Sequence, residues 1–268
     1  MCTRASAAAA TLAATALIIL QGCRRPASPD SKHLEKAGPT PGRCWPELER
    51  EIERRTNGER TRRGLRALAG DETLRQVARS HSGDMLARYF FAHVNPDGAS
   101  PAERVAAAHR RLVGVVGENI YKYQGPACRE PAPLAERIVG GWMRSPGHRR
   151  NILEARFTHL AVGAVNQADQ LLVTQLFADV RALLEPPPPP RLERGSRLRV
   201  AALPVGGSGP PELFDLWSGQ NGRRVLGPMP LAETELRVPA GAYQLRLYFP
   251  GGRPGLYEVY PGPRILVR

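Results

Sequence analysis

FFAHVNPDGASPAER, residues 90–104, is the stretch on which the reading of this chain turns. Upstream of it, Asp71 is a good N-cap for a helix whose apolar positions, Leu74, Val77, Ala78, His81, Met85 and Leu86, recur at i, i+3, i+4 and i+7. Asn95-Pro96-Asp97-Gly98 is a strong turn. Ser100-Pro101-Ala102-Glu103 then joins an N-cap serine, a first-turn proline and an N3 glutamate, the signature of a new helix start. His93 is therefore placed at the lip of a loop where one helix has ended and the next has not begun.

Two later strings add functional side chains to that loop. GENI (117–120) holds Glu118 between Gly117 and Asn119, small neighbours that allow close backbone approach. SPGHRRNIL (145–153) repeats the serine-proline signal and puts His148 at the third residue of a short helix. Positive charge at a helix N-terminus disfavours imidazolium there. Neutral imidazole is the form that ligates a metal or accepts a proton. Two such imidazoles with one carboxylate and room for water make a zinc-type inventory.

These strings follow NGERTRRGLRAL (57–68) and precede VTQLF (173–177). In that order and spacing the series resembles the CAP superfamily, the SCP-like domains of cysteine-rich secretory, antigen 5 and pathogenesis-related 1 proteins, in wording closest to its bacterial branch. The resemblance covers residues 45–180 and implies an α-β-α sandwich with a cleft tetrad of two His and two Glu. By motif the tetrad's members fall on His93, Glu118 and His148. The fourth place, a glutamate in the family, falls on Ser145, so the tetrad is incomplete. Asp97 and Glu103 are spatial substitutes to consider, although Glu103 is already accounted for by the capping box. Asn57 and Arg60 match family positions and are expected to fix the first helix. Arg149 is expected to hydrogen-bond near the turn of the second histidine. His81 reads as a satisfied core histidine, His159 as structural, and His33 and His109 as solvated.

Other signals along residues 45–184 agree with a sheet covered by helices. Trp45, Leu48 and Ile52 recur at helical spacing, as do Leu134, Ile138 and Trp142. Leu160–Val165 and Leu171–Phe177 flank Asn166-Gln167-Ala168-Asp169 and read as a hairpin. The fold class expected is α+β: an α-β-α CAP domain over 45–184 followed by a small all-β sandwich over 191–268. In that second part Tyr243, Leu245, Leu247 and Phe249 alternate with polar or half-polar neighbours at a period of two. Further strands are expected at Leu198–Leu203, Leu213–Trp217, Glu235–Val238, Leu256–Tyr260 and Arg264–Val267, between Gly/Pro turns. Val238–Tyr243 loosely resembles the strand entry of transthyretin-like modules, and no catalytic constellation accompanies it. Between the two parts, five prolines at 186–190 predict a stiff polyproline II spacer.

The N-terminal 22 residues read as a lipoprotein signal peptide. Arg4 precedes an uncharged run from Ala5 to Leu20, too short to span a bilayer comfortably. Leu20-Gln21-Gly22-Cys23 resembles a lipobox with Cys23 as the acylated residue, which implies anchoring to the cell envelope through more than one acyl chain. Gln21 is an unusual residue for its place, so ordinary cleavage with an unmodified Cys23 is the alternative. Residues 24–44, rich in Pro, Ser and charge, form a flexible tether within the 23–44 segment. Cys44 and Cys128 remain as an even pair, for which a disulfide is the default in an oxidising compartment; two free thiols are the alternative.

A net charge of +13 invites a nucleic-acid reading that its distribution weakens. The excess spreads as +3, +5 and +5 over 23–44, 45–184 and 191–268, with no basic block or aromatic-interleaved stripe. No nucleic-acid partner is expected. Three functions follow. The first is an envelope-anchored binding protein whose cleft takes a divalent ion such as Zn2+, an apolar or envelope-derived ligand, or both. The second is a metal-dependent hydrolase with Glu118 as general base, against which stand the lack of an HExxH helix and of a GxSxG elbow. The third is a structural envelope protein with an inert CAP body.

Overall fold

The computed structural model describes residues 44–125, 130–220 and 222–268. Cys23 and Cys128 lie outside the described residues, as do His33, the side chain of Cys44 and the tether, so lipidation and the disulfide are expectations only. Among the described residues no helix is long and apolar enough to cross a membrane.

The expected α+β class is what the chain forms. In order it runs α1 (Cys44–Thr61), β1 (Ala69–Gly70), α2 (Glu72–Ala87), α3 (Pro101–Ala108), β2 (Leu112–Gln124), α4 (Pro131–Arg144), α5 (Pro146–Ile152), β3 (His159–Gln167) and β4 (Gln170–Leu184). Eight strands complete it: β5 (Arg191–Leu192), β6 (Arg197–Arg199), β7 (Ala202–Pro204), β8 (Leu213–Ser218), β9 (Arg223–Pro230), β10 (Glu233–Glu235), β11 (Gly241–Pro250) and β12 (Tyr257–Val267).

Local chemistry sets the helix starts. Asp71 is extended and accepts from the Leu74 amide at 2.7 Å. Ser100 and Glu103 form the full capping box, with Ser100 N donating to Glu103 Oε2 at 2.8 Å. Ser145 starts α5 through the proline that follows it, but its side chain makes no cap hydrogen bond. The hairpin turns at Ala168, whose φ is 52°.

The first sheet has the order β1-β3-β4-β2, with β3, β4 and β2 antiparallel neighbours. Helices α1 and α4 bury Leu48, Ile52, Ile138 and Trp142 against one face, together with Phe177 and Val173. On the other face α2 and α3 bury Leu74, Ala78 and Val105 against Ala161, Leu176 and Val180. That is a helix-sheet-helix sandwich.

Prolines 186–190 do not hold the C-terminal part at a distance, and this corrects the expected spacer. Leu184 of β4 pairs with Ala202 of β7, so the C-terminal part adds a strand to the first sheet. Val113, Ala182 and Leu184 share one apolar core with Phe214, Leu245, Leu247 and Ile265. Arg110 donates to the carbonyls of Pro188 at 3.1 Å and Arg264 at 2.6 Å, tying the proline run to both halves. The C-terminal strands form one five-stranded sheet, β5-β12-β11-β8-β9, plus the β10-β6 pair. Strand β9 was not expected, and the two segments expected at 256–260 and 264–267 are one strand that runs through Pro261-Gly262-Pro263.

Candidate functional site

Glu118 is the centre of the site, and β2 puts it there. The strand pairs with β4 so that Glu118 stands opposite Leu176. Beside it, a Cβ on Gly117 would lie 2.8 Å from the Phe157 ring, so only glycine lets β2 approach that aromatic. The Glu118 side chain is 1 % exposed, and a carboxylate so buried must be paired.

Both of its oxygens are. His93 Nδ1–H donates to Oε1 at 2.8 Å, and Arg104 Nη2–H donates to Oε2 at 2.6 Å. Arg104 comes from the first turn of α3, and its Nη1 also donates to the carbonyls of His93 and Ala99, each at 2.8 Å. One guanidinium thus neutralises Glu118 and anchors the loop that carries His93. That loop is closed by Asn95, whose Oδ1 accepts from Ala99 N at 2.8 Å, with Gly98 at φ 81°. His93 remains half-exposed, with its outer ring edge toward solvent.

His148 lies on α5, half-buried, and its pKa is lowered by burial and then by the nearby His93. The neutral form expected from its helix position is favoured, but for those two reasons. His81 stands behind the carboxylate, with Nε2 3.9 Å from Glu118 Oε1 and donating to the Ala92 carbonyl at 3.1 Å. Its side chain is fully buried, and burial lowers its pKa despite the opposing pull of Glu118.

A network of amides holds α5 against the sheet. Asn151 Nδ2 donates to the Glu118 carbonyl at 3.0 Å and to Asn119 Oδ1 at 2.9 Å. Asn119 Nδ2 donates to the His148 carbonyl at 3.2 Å and to Gln175 Oε1 at 3.0 Å. Gln175 Nε2 in turn donates to Thr56 Oγ1 on α1 at 2.9 Å. Glu118 and His148 are brought together through these backbone anchors.

His93 is in direct contact with Glu118, and His148 on α5 lies close enough to feel the charge of His93, but the three are not arranged as a three-ligand metal set. A cation at the carboxylate would have to share oxygens already bonded by Arg104 and the His93 proton, and the guanidinium on Oε2 repels it. Among the described residues no group of three or more His, Cys, Asp or Glu is placed to hold a metal ion. The residues do not fit the metal implied by the resemblance.

The substitutes for the fourth tetrad member are elsewhere engaged. Glu103 closes its capping box and pairs with Arg264 at 2.9 Å, while Asp97 is exposed and pairs with Arg88 at 2.8 Å. Arg149 is exposed and makes no side-chain hydrogen bond among the described residues; Asn151 fills the role expected of it. Asn57 makes a two-way bond with the Leu68 backbone, at 3.0 and 2.8 Å, as a brace for α1. Arg60 reaches further than expected, donating to the carbonyls of Ile152 at 2.7 Å and Glu154 at 2.8 Å, and so fixes the end of α5. His109 is not solvated: it is buried and bonds Asp71 Oδ2 at 3.2 Å. His159 is structural, bonded to Thr158 Oγ1 at 2.8 Å.

The family model described as the cysteine-rich secretory protein family, CAP, matches residues 53–177, the stretch that contains every one of these site residues. Residues 53–177 are a CAP domain. Two Bacillus subtilis relatives align with it: the uncharacterized protein YkwD, 37 % identical over 133 residues, and the uncharacterized membrane protein YlbC, 36 % identical over 131 residues. The alignments cover 48 % of this chain and 46 % and 34 % of those relatives, so under half the length of either is matched. Among solved structures, an extracellular protein containing an SCP domain from Bacillus anthracis is 31 % identical, with a TM-score of 0.41 over 50 % of this chain and 41 % of that one. An outer surface protein of Borrelia burgdorferi is 16 % identical, with a TM-score of 0.44 over 50 % of this chain and 93 % of that one. Both alignments leave half of this chain outside the match, and the CAP domain is the part of this molecule that carries the cleft.

Sequence reasoning missed Arg104, Asn119, Asn151 and Gln175. All four lie inside the strings read above; for Asn119 and Asn151, next to Glu118 and three residues after His148, a polar residue flanking a buried site is the signal that could have found them. Arg104 had no comparable local signal, since arginine is abundant throughout the chain.

Proposed function

We propose that this chain is an extracytoplasmic binding protein, held to the envelope through Cys23, whose cleft takes up an envelope-derived ligand on the imidazoles of His93 and His148 without turning it over. The observation that carries this reading is the state of Glu118, which gives both carboxylate oxygens to internal partners. A general base needs a lone pair aimed at the proton it removes, and a metal ligand needs one aimed at the ion. Arg104 and His93 each bond one oxygen, and with the side chain 1 % exposed the remaining lone pairs have no access to an incoming proton or ion. Glu118 is then a support that fixes the tautomer and orientation of His93, leaving Nε2 to meet the ligand, as an outer carboxylate orients an imidazole elsewhere. The signal-like first 22 residues and Cys23 support the location.

The test is titration of the full chain in detergent with soluble muropeptides, followed by mass analysis of the recovered ligand. Saturable binding with intact ligand is expected, weakened at least about tenfold by His93→Ala or His148→Ala, the scale of one lost hydrogen bond to a buried or ionic partner. Release of cleaved muropeptide that Glu118→Gln abolishes would overturn the reading in favour of catalysis. Stoichiometric zinc binding that needs His93, Glu118 and His148 together would overturn the role given to Glu118.

A further inference from the structure

Strand β2 is an edge of the first sheet, paired with β4 alone, and its outer side can be read residue by residue. At one end of the ladder Gly125 N donates to the Asp169 carbonyl at 2.8 Å, and at the other Leu184 N donates to the Arg111 carbonyl at 2.8 Å. In an antiparallel pair, residues that exchange bonds with the partner strand alternate with residues that do not. The register shift between Val113 and Gly114 puts its extra residue, Arg181, on β4, so the alternation along β2 is unbroken. Odd residues of β2 therefore bond β4, and even ones point N–H and C=O outward.

On either flank these outward groups are met from within the molecule. Leu112 N donates to the His109 carbonyl at 3.2 Å, the Glu118 carbonyl accepts from Asn151 at 3.0 Å, and the Ile120 carbonyl accepts from Trp142 Nε1 at 3.1 Å. Between those flanks the two N–H and two C=O groups of Gly114 and Val116 have no partner among the described residues. They open into a groove of about 470 Å³. Ala102, Val105 and Ala106 of α3 form one wall, and Pro261 and Gly262 of β12 the other. Pro261 has no N–H and the Gly262 carbonyl accepts from Gln244, so β12 does not close the edge. The polar side chains of the lining already have partners: Ser100 and Glu103 in the capping box, Arg264 on Glu103 at 2.9 Å, and Gln244 on Gly262. What remains unbonded is backbone, beside apolar walls and Val115, which is 38 % exposed.

We propose that this groove takes one extended peptide segment with small uncharged side chains, which adds a strand to the edge of β2 at residues 114–116. Unpaired N–H and C=O groups at strand spacing are a template for another strand. The two charges of the lining cancel, since Glu103 pairs with Arg264, so a charged segment gains nothing there. The pairing is short, because the bonds made by Leu112 N and the Glu118 carbonyl end it on both sides. Walls on both sides admit a single chain rather than the sheet edge of a second copy. The site goes beyond the cleft reading above and does not depend on it.

The probe is acetyl-Val-Ala-Val-Ala-Val-amide, added to the full chain in detergent and read by amide hydrogen exchange. In the free chain the amides of Gly114 and Val116 should exchange fast, and that of Val115, bonded to β4, slowly. The peptide should slow Gly114 and Val116 saturably and leave Val115 as it was. Methylating every second peptide nitrogen keeps one bonding edge, so binding should persist; methylating all of them should abolish it. Val116→Pro removes one outward N–H and no bond to β4, the setting in which a strand tolerates proline, and should weaken binding at least about fivefold. Ala106→Phe is the second variant: it fills the groove from α3 and should block the peptide, while His148→Ala changes nothing. Slow exchange of Gly114 and Val116 in the free chain, equal binding of the fully methylated peptide, or binding untouched by Val116→Pro and Ala106→Phe would each overturn the proposal. So would protection of these amides that grows with protein concentration and needs no peptide, which would give the edge to a second copy.

Discussion

Arg104 joins three groups: the carboxylate of Glu118 on β2 and the carbonyls of His93 and Ala99 in the loop before α3. His93 and Glu118 are legible because each sits in a short string of turn or glycine residues. Arg104 is not, because its partners are set by how α3 lies on β2, and no local pattern encodes that. Glu103, one residue earlier, shows the contrast: its role is a contact with Ser100 three residues away, so it can be read directly. The same scale gives a pH prediction. Burial lowers the folded-state pKa of His81 from its ordinary 6.5, and those of His148 and His159 move the same way. Below about pH 6.5 the unfolded chain therefore binds more protons than the folded one, and stability falls as pH drops toward the folded-state values. The slope is at most about 1.4 kcal/mol per pH unit for each group. Urea midpoints taken from pH 7.5 to 5.5 should fall, and His81→Phe should flatten part of that fall. An unchanged slope in the variant would assign the effect to other groups.

Elements with local stop and start signals were the readable ones. Helices α2 and α3 follow from Asp71 and from Ser100-Glu103, and the β3-β4 hairpin from two apolar runs around a short turn. Strand β2 was hidden because Leu112–Val116 is apolar on both faces and the register shifts between Val113 and Gly114, which breaks the alternation. In β12 the Pro261-Gly262-Pro263 run reads as a break, yet it falls where the pairing with β11 is irregular, a place where missing N–H donors are tolerated. The seating of α2 on β3 rests on Gly163. A Cβ there would lie 2.1 Å from the Arg79 amide nitrogen and 2.4 Å from the Ala78 carbonyl carbon, both backbone atoms that cannot turn aside. Ser82 Oγ donates to the Gly163 carbonyl at 2.9 Å and so fixes that approach. Gly163→Ala is expected to cost about 1–3 kcal/mol or more, the usual range for overpacking. Chemical denaturation measures it; a cost within error of zero would mean that α2 can slide on the sheet.

At the scale of the molecule, the described residues, 44–125, 130–220 and 222–268, form one compact unit. The proline run reads as a spacer because composition reports stiffness and says nothing of what the flanking strands pair with. Besides the shared core, Arg181 of β4 lies over the Tyr260 ring at 4.8 Å and the Phe249 ring at 5.9 Å. Calorimetry should therefore give one unfolding transition covering both halves. A chain ending at Leu184 should expose Val113, Ala182 and Leu184 and unfold at a lower temperature or aggregate. Two resolved transitions in the full chain, or an equally stable shortened one, would show that the halves are independent.

Strand β4 has a bearing on how the chain is assembled in time. Its first half pairs with β3 and its last residues with β7, so it is finished by a segment synthesised after it. Once Leu184 has emerged, the CAP part has what it needs to fold, yet an open strand end and three apolar side chains await the 84 residues still to come. At about 5–20 residues per second that interval lasts roughly 4–17 s. During it the nascent molecule carries an unpaired edge of the kind that recruits other chains, and the C-terminal half acts as its own late-arriving cover.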